Sequence, residues 1–288
     1  MAQIIDGKAI SAKIREEIKE ETARFVAQRG YAPGLAVIIV GEDPASTVYV
    51  RNKGRACEEV GFYSEIHRLP ENTQQSELEE LIDRLNGDTK IHGILVQLPL
   101  PKHLDESAVL LKIDPAKDVD GFHPFNVGRI MIGDFDIAPC TPYGVMELLR
   151  YSGIETRGKH CVIVGRSNIV GKPQAMLMLK ADATVTVCHS KTQNLAEICR
   201  TADILVAAIG KADFIGEEYV KEGAVVVDVG INRKADGKLT GDVNFAQVEP
   251  KASYITPVPG GVGPMTITIL MKNTLKAAEV AGDALGAF

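Results

Sequence analysis

The sequence contains no tryptophan, and only 5% of its 288 residues are aromatic. None of its five cysteines stands at the Cys-x-x-Cys spacing of zinc sites and redox motifs. We therefore expect buried, reduced thiols and no structural metal. No apolar run approaches the ~20 residues of a transmembrane helix, and the N-terminus lacks the basic and apolar segments of a signal peptide. These absences predict a cytoplasmic protein that does not enter a membrane.

An excess of positive charge is also missing. The 32 basic and 38 acidic residues give a net charge of −6. A surface of this sign disfavours nucleic acid or an anionic membrane as the main partner. The length suggests roughly two domains of about 150 residues each, and a hydrophobic fraction of 45% is enough to give each a core.

Short apolar runs rich in β-branched residues alternate with amphipathic segments in the first part of the chain. The predicted elements are a helix over 6–28, a strand over 35–40, a helix over 46–60, a strand from 62, a helix around 78–85 and a strand over 91–98. Residues 114–139, rich in proline and glycine, are predicted to connect two domains. Thr141 is then expected to cap a helix that ends near Gly153.

The second part of the chain is more regular. Strands are predicted over 160–164, 184–188, 203–209, 224–229 and 254–258, and helices over 170–180, 194–199 and 217–221. This alternation is typical of a parallel sheet with right-handed crossovers, as in nucleotide-binding domains. A last helix over 265–281 is expected to pack back on the first domain, which would bring the two halves together along a cleft.

A glycine-rich turn follows the first strand of this second part. Gly165 closes the strand and Gly171 opens the next helix, with Ser167 where the usual dinucleotide motif has its second glycine. Backbone N–H groups at such a helix N-terminus are suited to a phosphate. The alternative is an ordinary strand-to-helix turn that needs glycine.

The end of the next strand carries Ser190 and Lys191, and Arg166 lies in the loop before it. Enzymes that prefer NAD usually have an acidic residue at this position, to bind the ribose 2′-hydroxyl. A hydroxyl with cationic groups suits a 2′-phosphate instead, so the pattern favours NADP. An ordinary polar strand end is an equally good interpretation of these residues alone.

Tyr49 and Lys53 stand four residues apart, which places them on one face of the predicted helix. A lysine shielded from water can have its pKa lowered enough to move protons near neutral pH. A solvated helix face is the simpler alternative. Short-chain dehydrogenases share the YxxxK spacing, but theirs follows the nucleotide fold whereas this one precedes it. Gln97, at the end of a buried strand, needs a hydrogen-bond partner.

Two further stretches are candidates for ligand contacts. Asp118 and Asp120 stand in the segment DVDGFHP, where they would either cap a turn or accept hydrogen bonds from adjacent N–H donors of a ligand. The segment PVPGGVGPMT, residues 257–266, combines stiff prolines with permissive glycines and is interpreted as a fixed wall of a binding cleft.

Motifs from both parts occur together, in order, along nearly the whole chain: PGLAVIIVGEDPAS, YVRNK, GILVQLPLP, KDVDGFHP, CTPYGV, GRSNIVGKP, DVGIN and YITPVPGGVGPMT. They resemble one family, the bifunctional methylenetetrahydrofolate dehydrogenase/methenyltetrahydrofolate cyclohydrolases of one-carbon metabolism. The resemblance implies an α/β fold with two domains and a cleft between them. The first is a three-layer substrate domain over 1–139, on which a C-terminal helix of about 265–288 packs; the second is a Rossmann-like parallel-sheet NADP domain over 140–264.

The resemblance also implies an activity. The family oxidises 5,10-methylenetetrahydrofolate with NADP and then hydrates the methenyl product to 10-formyltetrahydrofolate. Lys53 would handle protons in the hydrolytic step, Tyr49 would position the folate and Gln97 would tune the lysine. Asp120 would bind the pterin amino group and ring N–H. The other implied contacts are Pro259 and Gly263 with the folate, and Gly165, Arg166, Ser167, Ser190 and Ile231 with the dinucleotide.

The resemblance further implies a homodimer formed through the nucleotide domain. Two other functions remain open at this point. One is a different NADP oxidoreductase with its substrate domain first, such as a shikimate-type dehydrogenase acting on hydroxy acids. The other is a non-catalytic regulatory module that binds NADP and senses a metabolite.

Overall fold

The computed structural model describes residues 1–285. The chain divides into two compact units, each built from separate stretches of sequence. Unit 1 comprises Met1–Ala12, Ile130–Gly133 and Pro139–Thr266, whereas unit 2 comprises Lys13–Arg129, Asp134–Ala138 and the residues from Ile267 onward.

The helices and strands confirm the predicted α/β class. The helices are α1 (Gly7–Arg29), α2 (Pro44–Val60), α3 (Gln75–Gly87), α4 (Glu106–Lys112), α5 (Pro124–Ile132), α6 (Cys140–Tyr151), α7 (Gly171–Lys180), α8 (Leu195–Cys199), α9 (Phe245–Val248) and α10 (Val262–Leu285). The strands are β1 (Gln3–Ile4), β2 (Gly34–Val40), β3 (Tyr63–Leu69), β4 (Gly93–Val96), β5 (His160–Val164), β6 (Thr184–Cys188), β7 (Ile204–Ala207), β8 (Val225–Asp228), β9 (Asn232–Arg233), β10 (Leu239–Thr240) and β11 (Tyr254–Ile255).

Unit 2 contains a three-stranded parallel sheet in the order β3-β2-β4. Every residue of the central strand β2 is buried, which explains its continuous apolar sequence. Helix α2 begins after Asp43, whose carboxylate accepts a hydrogen bond from the backbone N–H of Ser46, and ends at Gly61 in the left-handed region. The sheet and these helix ends fix the position of one face of α2 relative to the end of β4.

Unit 1 contains a six-stranded sheet in the order β1-β11-β8-β7-β5-β6, and its pairings are parallel. Strand β7 lies beside β5 on the side opposite to β6. After β5 the chain forms β6 on one side of it and then crosses to the other side to form β7. A switch point of the strand order therefore lies between β5 and β7. In open α/β sheets, such a switch point opens a crevice at the carboxyl ends of the strands, where ligands bind.

Several predicted boundaries are wrong. The predicted connection over 114–139 contains helix α5. The helix was not predicted because its glycine and its exposed apolar residues do not form an amphipathic pattern. Helix α6 begins at Cys140 with Pro139 at its N-cap, so Thr141 lies inside it. Residues 217–219 form a single 3₁₀ turn where a helix over 217–221 was expected. Helix α10 begins at Val262, and residues 286–288 of the predicted last helix lie outside the described range.

Membrane-spanning helices are absent from residues 1–285, because each helix there is too short or too polar to cross a bilayer.

His92 is a buried histidine whose neutral form the fold requires. Its Nδ1 accepts a hydrogen bond of 3.0 Å from the backbone N–H of Gly34, and its ring stacks on Tyr31 at a centroid distance of 5.5 Å. Burial and the nearby charge of Lys117 lower the pKa of His92. Its contribution to stability is therefore present above the pKa of an unfolded histidine and is lost as the pH falls through the lower folded value.

We expect the free energy of unfolding to decrease below about pH 6.5, and less so in His92→Asn, whose side-chain oxygen can still accept the Gly34 hydrogen bond. Urea unfolding at a series of pH values measures the difference, and the same change at the less buried His67 is the control. Identical pH profiles for wild type and His92→Asn would contradict the assignment.

Candidate active site

Lys53 and Gln97 lie together in unit 2. Helix α2 carries Lys53, which is only 8% exposed, and Gln97 follows the last residue of β4. Nζ of Lys53 donates a hydrogen bond of 2.9 Å to Oε1 of Gln97. The amide nitrogen of Gln97 donates to the carbonyl of Leu98 at 2.7 Å, so both ends of the amide are engaged. This arrangement holds one nearly buried amine at the carboxyl end of the sheet.

Tyr49 lies one turn before Lys53 on α2 and is 43% exposed. The spacing places both side chains on the same face of the helix. An exposed phenol ring beside a buried amine offers a surface on which a planar ligand can stack. The solvated-face alternative accounts for Tyr49 but not for the burial of Lys53.

Asp118 shapes the loop that carries Asp120. The Asp118 carboxylate is 2% exposed and accepts hydrogen bonds from the backbone N–H of Gly121 (3.1 Å) and of His123 (2.7 Å). It also accepts one from the side chain of Asn126 at 2.9 Å. Asp118 therefore caps a turn, which is one of the two alternatives that the sequence left open. Asp120 is half-buried within the loop that this turn fixes.

Asn273 is a structural residue that the sequence reasoning missed. It lies on α10, is buried, and donates hydrogen bonds of 2.8 Å to the carbonyls of Val119 and Ala138. The first of these carbonyls immediately precedes Asp120. Its only sequence signal was a polar residue within the apolar stripe of α10, next to Leu270 and Thr274.

We expect Asp118→Ala to loosen the loop that carries Asp120 and to destabilise the protein by about 2–4 kcal/mol, because buried donors would lose their acceptor. Amide hydrogen exchange at Gly121 and His123, whose N–H groups would lose their acceptor, and urea unfolding measure the two effects. Asp114→Ala is the matched control, since Asp114 caps an exposed turn earlier in the same segment. Equal behaviour of the two variants would show that the Asp118 turn does not support the site.

The glycine-rich turn of unit 1 leaves no room for a side chain at Gly165 or at Gly171. A Cβ atom on Gly165, whose φ is +140°, would lie 2.2 Å from the carbonyl oxygen of Ala208. A Cβ atom on Gly171 would lie 2.2 Å from the carbonyl oxygen of Gly165. Oγ of Ser167 accepts hydrogen bonds from the backbone N–H of Val170 (3.1 Å) and of Gly171 (3.4 Å). Ser167 therefore shapes the backbone at the start of α7, where phosphate-binding N–H groups are expected.

Arg166 and Ser190 follow the carboxyl ends of two neighbouring strands, β5 and β6. Val164 at the end of β5 pairs with Cys188 at the end of β6, so each of the two residues stands two positions beyond a paired strand end. Both are exposed, as is Lys191. A guanidinium, a hydroxyl and an ammonium group at adjacent strand ends are a suitable set for a phosphate.

The segment over 257–264, which runs into the start of α10, packs tightly within unit 1. A Cβ atom on Gly261 would lie 2.6 Å from the carbonyl oxygen of Pro257, and one on Gly7 would lie 1.8 Å from the carbonyl oxygen of Gly261. An added Cβ on Gly263 would lie 3.5 Å from Cδ1 of Ile231. The backbone around Pro259 is therefore fixed, and Gly263 and Ile231 are neighbours, although Ile231 remains 49% exposed.

Both halves of the sequence match known domains. Residues 5–120 match the tetrahydrofolate dehydrogenase/cyclohydrolase catalytic domain, and residues 139–282 match the NAD(P)-binding domain of the same family. The chain belongs to the tetrahydrofolate dehydrogenase/cyclohydrolase family. The family resemblance carried by the motifs is thereby confirmed.

Similar proteins cover the chain almost completely. A bifunctional protein FolD of Moorella thermoacetica is 63% identical over 278 residues, which is 96% of this chain and 99% of that protein. A crystal structure of the bifunctional FolD enzyme of Campylobacter jejuni superposes with a TM-score of 0.93 at 52% identity, covering 97% of this chain and 99% of that one. The Trypanosoma brucei FolD structure, complexed with NADP cofactor and inhibitor, gives a TM-score of 0.92 at 45% identity, with coverages of 97% and 98%.

Membership of the tetrahydrofolate dehydrogenase/cyclohydrolase family decides between the alternatives left open by the sequence. A shikimate-type dehydrogenase and a regulatory module each explain the nucleotide part alone. Neither accounts for a match to the folate catalytic domain over residues 5–120.

Proposed function

We propose that this chain is a bifunctional one-carbon enzyme that oxidises 5,10-methylenetetrahydrofolate to the methenyl form with NADP and then hydrolyses it to 10-formyltetrahydrofolate. The observation that carries the proposal is the nearly buried Lys53 amine held by Gln97 at 2.9 Å, in a chain of this family. We assign the folate chemistry to the part of the chain around residues 1–139 and the dinucleotide to 140–264.

The residues of unit 1 fit NADP. Gly165 and Gly171 stand where the backbone of unit 1 lies too close for a Cβ atom, which makes the turn before α7 compact, and we assign the pyrophosphate to the backbone N–H groups of this turn. Arg166 and Ser190, with Lys191, supply cationic and hydroxyl groups for a 2′-phosphate, while Ser167 shapes the turn. When bound, NADP accepts the hydride.

The oxidation needs alignment more than acid–base groups. Lone pairs on the two folate nitrogens drive hydride loss from the methylene carbon, so the protein contributes by holding that carbon in position. We assign the pterin amino group and ring N–H to the carboxylate of Asp120, and the planar ring to Tyr49. We assign Pro259 and Gly263 to contacts with the folate, and Ile231 to a contact with the dinucleotide.

The hydrolysis needs proton transfer. Oxygen of a water molecule bonds to the methenyl carbon while its proton passes to neutral Nζ of Lys53. The bond from this carbon to one ring nitrogen then breaks as the carbonyl forms; the hydroxyl proton is lost, that nitrogen gains a proton, and one proton leaves to solvent overall. The hydrogen bond to Gln97 positions Nζ for these transfers.

We also propose a homodimer formed through unit 1. Met131 and Ile132 are 67% and 76% exposed, and Leu179 of α7 is 56% exposed. Nζ of Lys180 donates a hydrogen bond to the carbonyl of Gly133, which links the end of α7 to the segment with Met131 and Ile132. Apolar side chains grouped in this way suit a protein interface.

The net charge supports neither nucleic acid nor membrane as a partner, and we place the enzyme in the cytoplasm.

A spectrophotometric assay tests the proposed activity. Purified protein is mixed with methylenetetrahydrofolate and either NADP or NAD, and NADPH and methenyl absorbance are followed separately. We expect NADPH to form without lasting accumulation of the methenyl compound, and faster reaction with NADP than with NAD. Accumulation of the methenyl product would show that the protein has the dehydrogenase activity but not the cyclohydrolase activity. Absence of reaction with either cofactor would contradict the proposal.

A further inference from the structure

The crevice between β5 and β7 has two sides. One is the glycine-rich turn after β5, and the other is the segment Ala208–Lys211 after β7. The two sides are in contact, because a Cβ atom on Gly165 would lie 2.2 Å from the carbonyl oxygen of Ala208. We call Ile209–Lys211 the β7 loop. Its backbone must be held in one conformation if a dinucleotide is to fit against it.

A single buried carboxylate holds the β7 loop. The side chain of Asp242 is fully buried, and its Oδ2 accepts hydrogen bonds from the backbone N–H of Ile209 (2.6 Å) and of Gly210 (3.0 Å). Its Oδ1 accepts one from the backbone N–H of Lys211 at 2.8 Å. Oδ1 also accepts a hydrogen bond of 2.9 Å from the side chain of Asn232. Because Asn232 follows Ile231, Asp242 joins the β7 loop to the segment after β8.

A second buried carboxylate fixes the chain that carries Asp242. Asp228 ends β8 and accepts hydrogen bonds from the backbone N–H of Gly230 (3.0 Å) and of Asp242 itself (2.9 Å). It also accepts one of 2.9 Å from Val243. Burial opposes its charge and raises the pKa of Asp228 to about 7. The main chain on both sides of Asp242 is therefore tied to the sheet.

Two glycines make room for these carboxylates. A Cβ atom on Gly230 would lie 2.3 Å from Cγ of Asp242, and one on Gly241 would lie 1.7 Å from Oδ2 of Asp228. Neither glycine has a positive φ, so chain conformation does not explain them. The space that each side chain would fill is occupied by the carboxylate opposite, which indicates a polar core built around fixed carboxylate positions.

We propose that Asp242 is a positioning residue for NADP, one that holds the β7 loop at the crevice and fixes it to the segment bearing Ile231. This inference rests on the proposed function. The positions suit a carboxylate because donors converge on both of its oxygens, whereas an asparagine presents one oxygen and would face the remaining donors with its own N–H groups. Loss of the hydrogen bonds would leave the loop mobile, and NADP would have to order it on binding.

The test compares Asp242→Asn with wild type at pH 8, where Asp228 is mostly ionised in both. In the protein without cofactor, we expect amide hydrogen exchange at Ile209–Lys211 to become faster. The Michaelis constant for NADP should rise by about tenfold or more, as for loss of charge-assisted hydrogen bonds. Hydrolysis of supplied methenyltetrahydrofolate, which uses Lys53 and no cofactor, should keep its rate, so that a general loss of folding is distinguished from a local effect.

Asp203→Asn is the matched control. Asp203 immediately precedes β7 and accepts a hydrogen bond of 2.9 Å from the backbone N–H of His160. The substitution therefore makes the same chemical change at the opposite end of the strand. We expect it to leave the exchange of the β7 loop and the Michaelis constant for NADP unchanged.

Asn232→Ala is the milder second variant, because it removes one donor and keeps the carboxylate. It should speed exchange in the β7 loop by a smaller factor than Asp242→Asn. Unchanged exchange and unchanged NADP affinity in folded Asp242→Asn would overturn the inference, as would an equal change in Asp203→Asn. Failure of the wild type to bind or reduce NADP would instead overturn the proposed function, which separates the two failures.

Discussion

Lys53→Met is expected to abolish hydrolysis of methenyltetrahydrofolate while NADPH formation continues. Methionine keeps most of the side-chain volume but cannot accept a proton, and general acid–base catalysis contributes about 10²–10⁴-fold to such steps. Oxidation of methylenetetrahydrofolate needs only alignment of carbon and cofactor, so a substantial part of it should persist. The measurement is the rate of methenyl disappearance beside the rate of NADPH appearance.

The control for this prediction is Lys19→Met, the same change at an exposed position on α1. It should leave both rates near those of the wild type. If Lys53→Met loses both activities equally while it still binds folate, then Lys53 serves both steps and the proposed division of labour is wrong.

Gly165→Ala is expected to impair NADP-dependent oxidation and to spare hydrolysis, which is the opposite of the effect expected for Lys53→Met. Its Cβ would lie 2.2 Å from the carbonyl oxygen of Ala208, in a backbone conformation of φ +140° that side chains rarely adopt. The β5 and β7 ends must then move apart, and because binding sites tolerate little displacement, we expect a loss of about 10²-fold in NADP-dependent oxidation. Hydrolysis of supplied methenyltetrahydrofolate should continue.

Gly158→Ala separates steric contact from backbone strain. Gly158 also has a positive φ, of +70°, but nothing lies within 4 Å of the position of its Cβ. This variant should lose stability by about 1 kcal/mol and retain NADP-dependent oxidation. Equal loss of oxidation in both variants would show that the close contact with Ala208 is unimportant for the cofactor.

The fold was predictable where short stretches of sequence carry the physical signal. Strand β2 is buried on both faces and is continuously apolar, and Gly61 and Gly165 stand where the backbone needs glycine. Two separate local patterns, a helical spacing and a polar residue at a strand end, pointed to Lys53 and Gln97 individually, and only the family resemblance implied that they act together. Their hydrogen bond itself depends on the parallel register of β2 and β4, which no local pattern encodes.

Features that depend on distant contacts escaped prediction. Asn273 and Val119 are far apart in sequence, and neither shows locally that one donates to the other. The hydrogen bonds of Asp242 join the segments that follow β7 and β8, two strands that become neighbours only in the folded sheet. Helix α5 was missed for a different reason, because Gly128 and its exposed apolar residues resemble an irregular connection more than an amphipathic helix.

Strand β1 has a consequence for the order in which the molecule can be completed. Gln3 and Ile4 pair with Tyr254 and Ile255 of β11, so one edge of the larger sheet joins chain segments that are 251 residues apart in sequence. During synthesis the first strand must wait for the last, and contacts of this separation form slowly because a long loop has to close. A chain cut between residues 139 and 140 would separate these partners, and the piece that follows the cut would leave the edge of β11 uncovered.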